Sequence, residues 1–214
     1  MRLLHLKNLL LSSLALLVAC SPTLGYKSMG RVKVDEKQVK PIISKEKSLL
    51  YKAKIKVYNK RYSGLILLKQ IDPETAHLTF VTEIGMKIFD FEIKDTSFKL
   101  TYIFEPLNKP RIIQLLRNDM KLILMQDLLD KEAKLYENSS RKIYRTNNGL
   151  RTFYLSAKPQ LIEKSLVKGT LFTKEKVTYL YNDSLEARQI KLKHKGLVRV
   201  KIELNRVSGS SKTN

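Results

Sequence analysis

The sequence predicts a mainly β protein: a curved antiparallel sheet, or a half-open β-barrel, of about ten strands with one main covering helix. Three observations predict it. From Leu49 onward, apolar and polar residues alternate with period two in run after run, as in strands with one dry face. One segment only, Pro110 to Leu124, changes to strong helical spacing. Turn residues separate the runs and no internal repeat joins them. Sequential antiparallel strands in that number tend to curl or close, and a single helix cannot cover a flat sheet of such width.

The elements follow in order. Tyr51, Ala53, Ile55 and Val57 alternate with Lys52, Lys54 and Lys56. Ser63–Lys69 is the next strand, ended by the turn Asp72-Pro73-Glu74. His77–Thr82 and Lys87–Lys94 are joined through Ile84-Gly85, and Phe98–Phe104 completes the first meander. Pro110 suits the first turn of a helix, where its missing N–H leaves nothing unpaired. Ile112, Ile113, Leu115, Leu116, Met120, Ile123 and Leu124 form a wide apolar arc beside a narrow polar stripe of Gln114, Arg117, Asn118 and Lys121. Strands then return at Lys134–Glu137, Arg141–Arg145, Arg151–Ser156, Leu161–Lys168, Val177–Asn182, Ala187–Lys193 and Leu197–Arg206, with Asn147-Asn148-Gly149 as a hairpin turn.

The N-terminus has a different character. Arg2 and Lys7 precede Leu9–Ala19, apolar except for Ser12 and Ser13. That run has the ~7–15 residues of a secretory h-region and not the ~20 of a spanning helix. It ends in Leu17-Val18-Ala19-Cys20, which holds the only cysteine of the chain. These four residues resemble the bacterial lipobox. The resemblance implies cleavage between Ala19 and Cys20 and lipid, palmitate included, on Cys20. The expected organisation is a signal peptide over 1–19, a lipidated N-terminus and tether over 20–47, one antiparallel β domain over 48–207 and a flexible tail over 208–214.

The chain has 41 Lys and Arg against 20 Asp and Glu, a formal charge of +21. Loss of Arg2 and Lys7 with the leader brings this to +19. Such a balance suits an anionic partner. Export argues against nucleic acid, and the cations are spread in period-two groups such as Lys52-Lys54-Lys56 and Lys191-Lys193-Lys195. A solvated outer face or attraction to lipid phosphates accounts for them. A mature chain without a free thiol has no disulfide, no thiolate metal site and no cysteine nucleophile.

Catalytic patterns are absent from the sequence: no G-x-S-x-G, no G-x-G-x-x-G, no phosphate-binding glycine loop, no H-E-x-x-H. His77 beside a turn and His194 between lysines are expected at the surface, and Asp90 with Glu92 on a solvated strand face. The sequence therefore predicts a binding protein without catalytic residues, metal or cofactor.

Leu17-Val18-Ala19-Cys20, the meander from Leu49 to Phe104 and the helix after Pro110 together resemble the LolA/LolB-like proteins, the periplasmic carrier and outer-membrane acceptor of lipoproteins. The stretch TFVTEIGMKIFDFEI is similar to segments of small bacterial lipoproteins of that kind. The resemblance implies a protein anchored to the outer membrane facing the periplasm, holding acyl chains of lipoproteins or lipids in a concave cavity. It places Ile55, Val57, Leu65, Leu67, Phe80, Phe89, Phe91, Leu100, Tyr102 and Phe104 in the cavity wall, and Ile112, Leu116 and Met120 in a lid. A second reading is a structural or assembly lipoprotein whose sheet docks on another envelope protein.

Overall fold

Backbone pairing joins the alternating runs into one sheet of thirteen strands in the computed structural model, which describes residues 22–207 apart from 44–47, 73, 95–96, 148–150, 159, 170–171 and 197. The leader, Ala19, Cys20 and the tail over 208–214 lie outside the described residues. The strands are β1 (Lys27–Lys33), β2 (Ser48–Val57), β3 (Lys60–Gln70), β4 (Ala76–Thr82), β5 (Lys87–Ile93), β6 (Phe98–Ile103), β7 (Glu132–Glu137), β8 (Lys142–Asn147), β9 (Arg151–Lys158), β10 (Leu161–Lys168), β11 (Thr173–Tyr181), β12 (Ala187–His194) and β13 (Val200–Arg206). The single α-helix among the described residues, α1 (Pro110–Ile123), stands between β6 and β7 in the chain. The sheet order is β1-β7-β8-β9-β10-β11-β12-β13-β2-β3-β4-β5-β6, antiparallel throughout. It is open, with β1 and β6 at its edges.

The sequence reading leaves β1 in the tether. Lys27–Lys33 instead pairs along β7, with a bulge between Ser28 and Gly30, where Gly30 takes a φ of 90°. This strand has no apolar alternation because nearly all of it is exposed. Backbone bonds alone mark it, and no period-two signal could. Val34, Val39, Ile42 and Ile43 are buried behind it, so the folded body begins well before residue 48.

The inward face carries Tyr51, Ala53, Ile55 and Val57 from β2, Ile66 and Leu68 from β3, and Leu78 and Phe80 from β4. Phe80, Phe89, Phe91 and Phe98 form a chain of rings, with centroids 5.3, 4.9 and 5.1 Å apart. Helix α1 turns Ile112, Leu116, Asp119, Met120, Leu122 and Ile123 into the buried layer. Pro110 opens it as expected. At its other end the Tyr179 hydroxyl of β11 donates to the carbonyls of Leu122 and Ile123 (3.0 and 3.2 Å) and accepts from Ser165 Oγ at 3.2 Å. The Leu122 carbonyl also accepts from the Met125 N–H at 3.3 Å, so the tyrosine adds to the backbone bonds that close the helix end.

Candidate functional site

The expected cavity wall divides. Ile55, Val57, Phe80, Phe89 and Phe91 are all buried on the inward face, and Leu100 and Phe104 pack partly buried against them. Ile112, Leu116 and Met120 are buried beneath α1. None of these residues lines the clefts described below. Leu65, Leu67 and Tyr102 are a correction: they belong to the opposite face. In β3 the run Leu65-Ile66-Leu67-Leu68 is apolar on both parities, so alternation does not decide it. The two-residue turn at Tyr58-Asn59, with Tyr58 at φ 52°, pairs Val57 with Lys60 and so sends Ile66 and Leu68 inward. In β6 a register shift opposite Asp90/Phe91 pairs Leu100 with Phe91 and Ile103 with Phe89, which turns Tyr102 outward, 42% exposed.

The cleft that combines an apolar wall with charge lies at the rim of the inward face. It has a volume of about 1290 Å³ and is bounded by the outer side of α1, the start of β11 and the β12–β13 connection. Leu115, Phe172 and Val198 give it an apolar wall, with Phe172 57% exposed. Arg111, Lys174, Lys193, Lys195, Arg199 and Lys201 surround that wall. Smaller clefts of about 370 and 800 Å³ are lined mainly by polar and charged residues of the 33–43 segment and its neighbours.

One polar cluster stands at the edge of the rim cleft. Asp119 of α1, Glu175 of β11 and His194 of β12 converge, although all three occupy inward-facing positions. His194 Nδ1 is 3.3 Å from Asp119 Oδ1 and 3.5 Å from Glu175 Oε1. Asp119 is fully buried and its Oδ2 has no hydrogen-bond partner. Burial pushes the Asp119 carboxyl up, against the opposing pull of His194. Burial, then the charge of Asp119, pushes Glu175 up to about 7. His194 is pushed up chiefly by its hydrogen bond to Asp119. Both carboxyls face the same ring nitrogen of His194, which ties α1 to β11 and β12. One ligand atom from each residue lies within 4.8 Å of the others, a donor set able to approach a cation. Lys174 and Lys193 beside it oppose a dication.

Both histidines depart from the expected surface setting. His194 ends β12 with its side chain 16% exposed. His77 Nε2 lies 2.6 Å from Asp90 Oδ1, and Lys87 Nζ donates to Asp90 Oδ2 at 2.8 Å. Asp90, expected on a solvated face, is buried. Burial pushes its carboxyl up, but the hydrogen bonds from Lys87 and His77 outweigh this and hold it below the ordinary value. The cluster at the rim was findable: Glu175 has the parity of Val177 and Tyr179, His194 that of Ile190 and Leu192, and Asp119 falls three residues after Leu116 on the buried stripe. An ionisable residue at such a position signals a partner.

No protein-family model matches the chain, and no curated protein matches it. Among solved structures, the chain is similar to the "putative outer membrane lipoprotein-sorting protein domain from Vibrio parahaemolyticus", at 9% identity and a TM-score of 0.39. The similarity covers 79% of this chain and 89% of that one.

Proposed function

We propose that this protein is an envelope lipoprotein, anchored through Cys20, that binds an amphiphilic anion: an acyl chain ending in a carboxylate or phosphate. The rim cleft carries the reading. Leu115, Phe172 and Val198 offer apolar contact to a chain, while Lys195, Arg199 and Arg111 are placed around it for an acidic head group. A volume of about 1290 Å³ is ample for one such ligand. The buried phenylalanine layer lines none of the clefts. The lipobox at Leu17-Val18-Ala19-Cys20 supports the setting, since two or three acyl chains hold a protein at a membrane durably. The outer membrane facing the periplasm, and service to lipoproteins or lipids in transit, are the setting this reading takes.

The test is direct binding of a fluorescent fatty acid to a soluble form beginning at Ser21, with lipid extraction and mass spectrometry of the purified protein. Binding should weaken about tenfold or more in Phe172→Ala, because an exposed ring that closes on a chain contributes on the order of 1.5–3 kcal/mol. Absence of both extracted lipid and fatty-acid binding sinks the reading. In cells, labelled palmitate should enter the wild type and not Cys20→Ala.

A further inference from the structure

Five cations stand in direct cross-strand register on the face of the sheet turned away from α1. Lys176 of β11 pairs with Lys193 of β12, Lys193 with Lys201 of β13, Lys201 with Lys56 of β2, and Lys56 with Arg61 of β3. Four of the five side chains are exposed and Lys56 is half-buried. At about 4.8 Å per strand the row runs about 19 Å with one sign of charge.

Lysine-rich composition does not explain the row. Several cations elsewhere sit against an acid: Arg31 with Glu132, Lys94 with Glu74, Lys99 with Glu92, Lys142 with Glu137 and Arg206 with Glu186. The neighbouring row on the same face includes an acid as well, Glu203, which is flanked by Lys191 and Lys54. The five-membered row contains none. Like charges directly opposite one another work against a sheet, and here that happens at four successive pairings.

We infer that this row is a docking surface for an anionic phospholipid bilayer. Four of its members are lysines, compact point charges without the bidentate fork that selects a single phosphate geometry. No aromatic ring is interleaved to stack a base, as a single-stranded nucleic acid would need. A sheet face with spaced ammonium groups fits a surface of many head groups. Lys193 and Lys201 belong both to the row and to the wall of the rim cleft. Docking therefore brings the mouth of the cleft to the lipid. The inference does not depend on what the cleft binds.

The experiment uses the soluble form from Ser21, which keeps every described strand and lacks the anchor. It is sedimented with phosphatidylcholine vesicles with and without phosphatidylglycerol. Binding is expected only with phosphatidylglycerol, and it should fall as salt rises. Changing Lys56, Arg61 and Lys176 to glutamine should lower partitioning about 100-fold, at the usual contribution of one basic residue near an anionic surface. These three lie outside the cleft wall, so fatty-acid binding should survive and separates the two ideas. The same change at the acid-paired Lys94, Lys99 and Lys142 removes equal net charge and should have far less effect. No binding to phosphatidylglycerol, or equal loss in the two triple variants, overturns the inference. So does binding confined to soluble polyanions.

Discussion

Asp90 and His194 show how a single side chain on a strand takes its chemistry from what packs over it. Asp90 is held below the ordinary carboxylate range, so its contribution to stability is present above about pH 4 and disappears as pH falls through its folded value. The rim cluster acts in the opposite sense. Glu175 keeps its proton up to about 7 when folded, and His194 is held above its ordinary value. The folded state thus binds more protons there than the unfolded chain does. That stability is complete at low pH and is lost as pH rises from about 4.5 through neutrality. The two trends predict a maximum near pH 5. Urea denaturation across pH should show the decline above it, and Glu175→Gln should flatten that limb. Asp90→Asn should cost about 1–3 kcal/mol at pH 6 and steepen nothing on the alkaline side. The sequence reading missed Asp119 and Glu175 and set His194 at the surface, although parity or helical spacing extended by one step from Val177, Leu192 and Leu116 marks all three as inward. Asp90 was not legible, because alternation separates two faces without saying what covers either one, and Ile88 beside it is fully buried on the supposedly wet side.

At the level of elements, α1 was legible almost to the residue: Pro110 opens it, and its apolar arc faces the sheet. The clamp at its end was not legible, since it joins Tyr179 and Ser165 of two strands to carbonyls far away in the chain. Tyr179→Phe deletes the donor and takes one partner from Ser165 Oγ and from the Ile123 carbonyl. It should cost about 1–3 kcal/mol in urea denaturation, with the far-ultraviolet spectrum unchanged. Strand parity was readable in β2, where lysines and apolar residues alternate cleanly, and unreadable in β3, where four apolar residues stand in a row. In β6 it was readable only as far as the bulge. The face of a strand is decided by its turn and its neighbour wherever the sequence is apolar on both sides.

For the whole molecule, the mainly antiparallel sheet with one helix was legible, while the order of its strands was not. Most neighbours follow one another in the chain, but β13 pairs with β2 and β1 with β7. Such partners are found through distant contacts that leave no local trace. A chain ending before Val200 loses β13 and should separate into two half-sheets, β2–β6 and β1 with β7–β12, with loss of cooperative unfolding in calorimetry. The same topology sets a schedule. At ~5–20 residues per second, β2 is complete on the order of ten seconds before its partner β13 is made. Until then neither half-sheet can be sealed to the other, and the middle of the finished sheet is its last part to exist. The nascent protein therefore stays separable into threadable pieces until β13 is made, and the two halves of the sheet join through that strand.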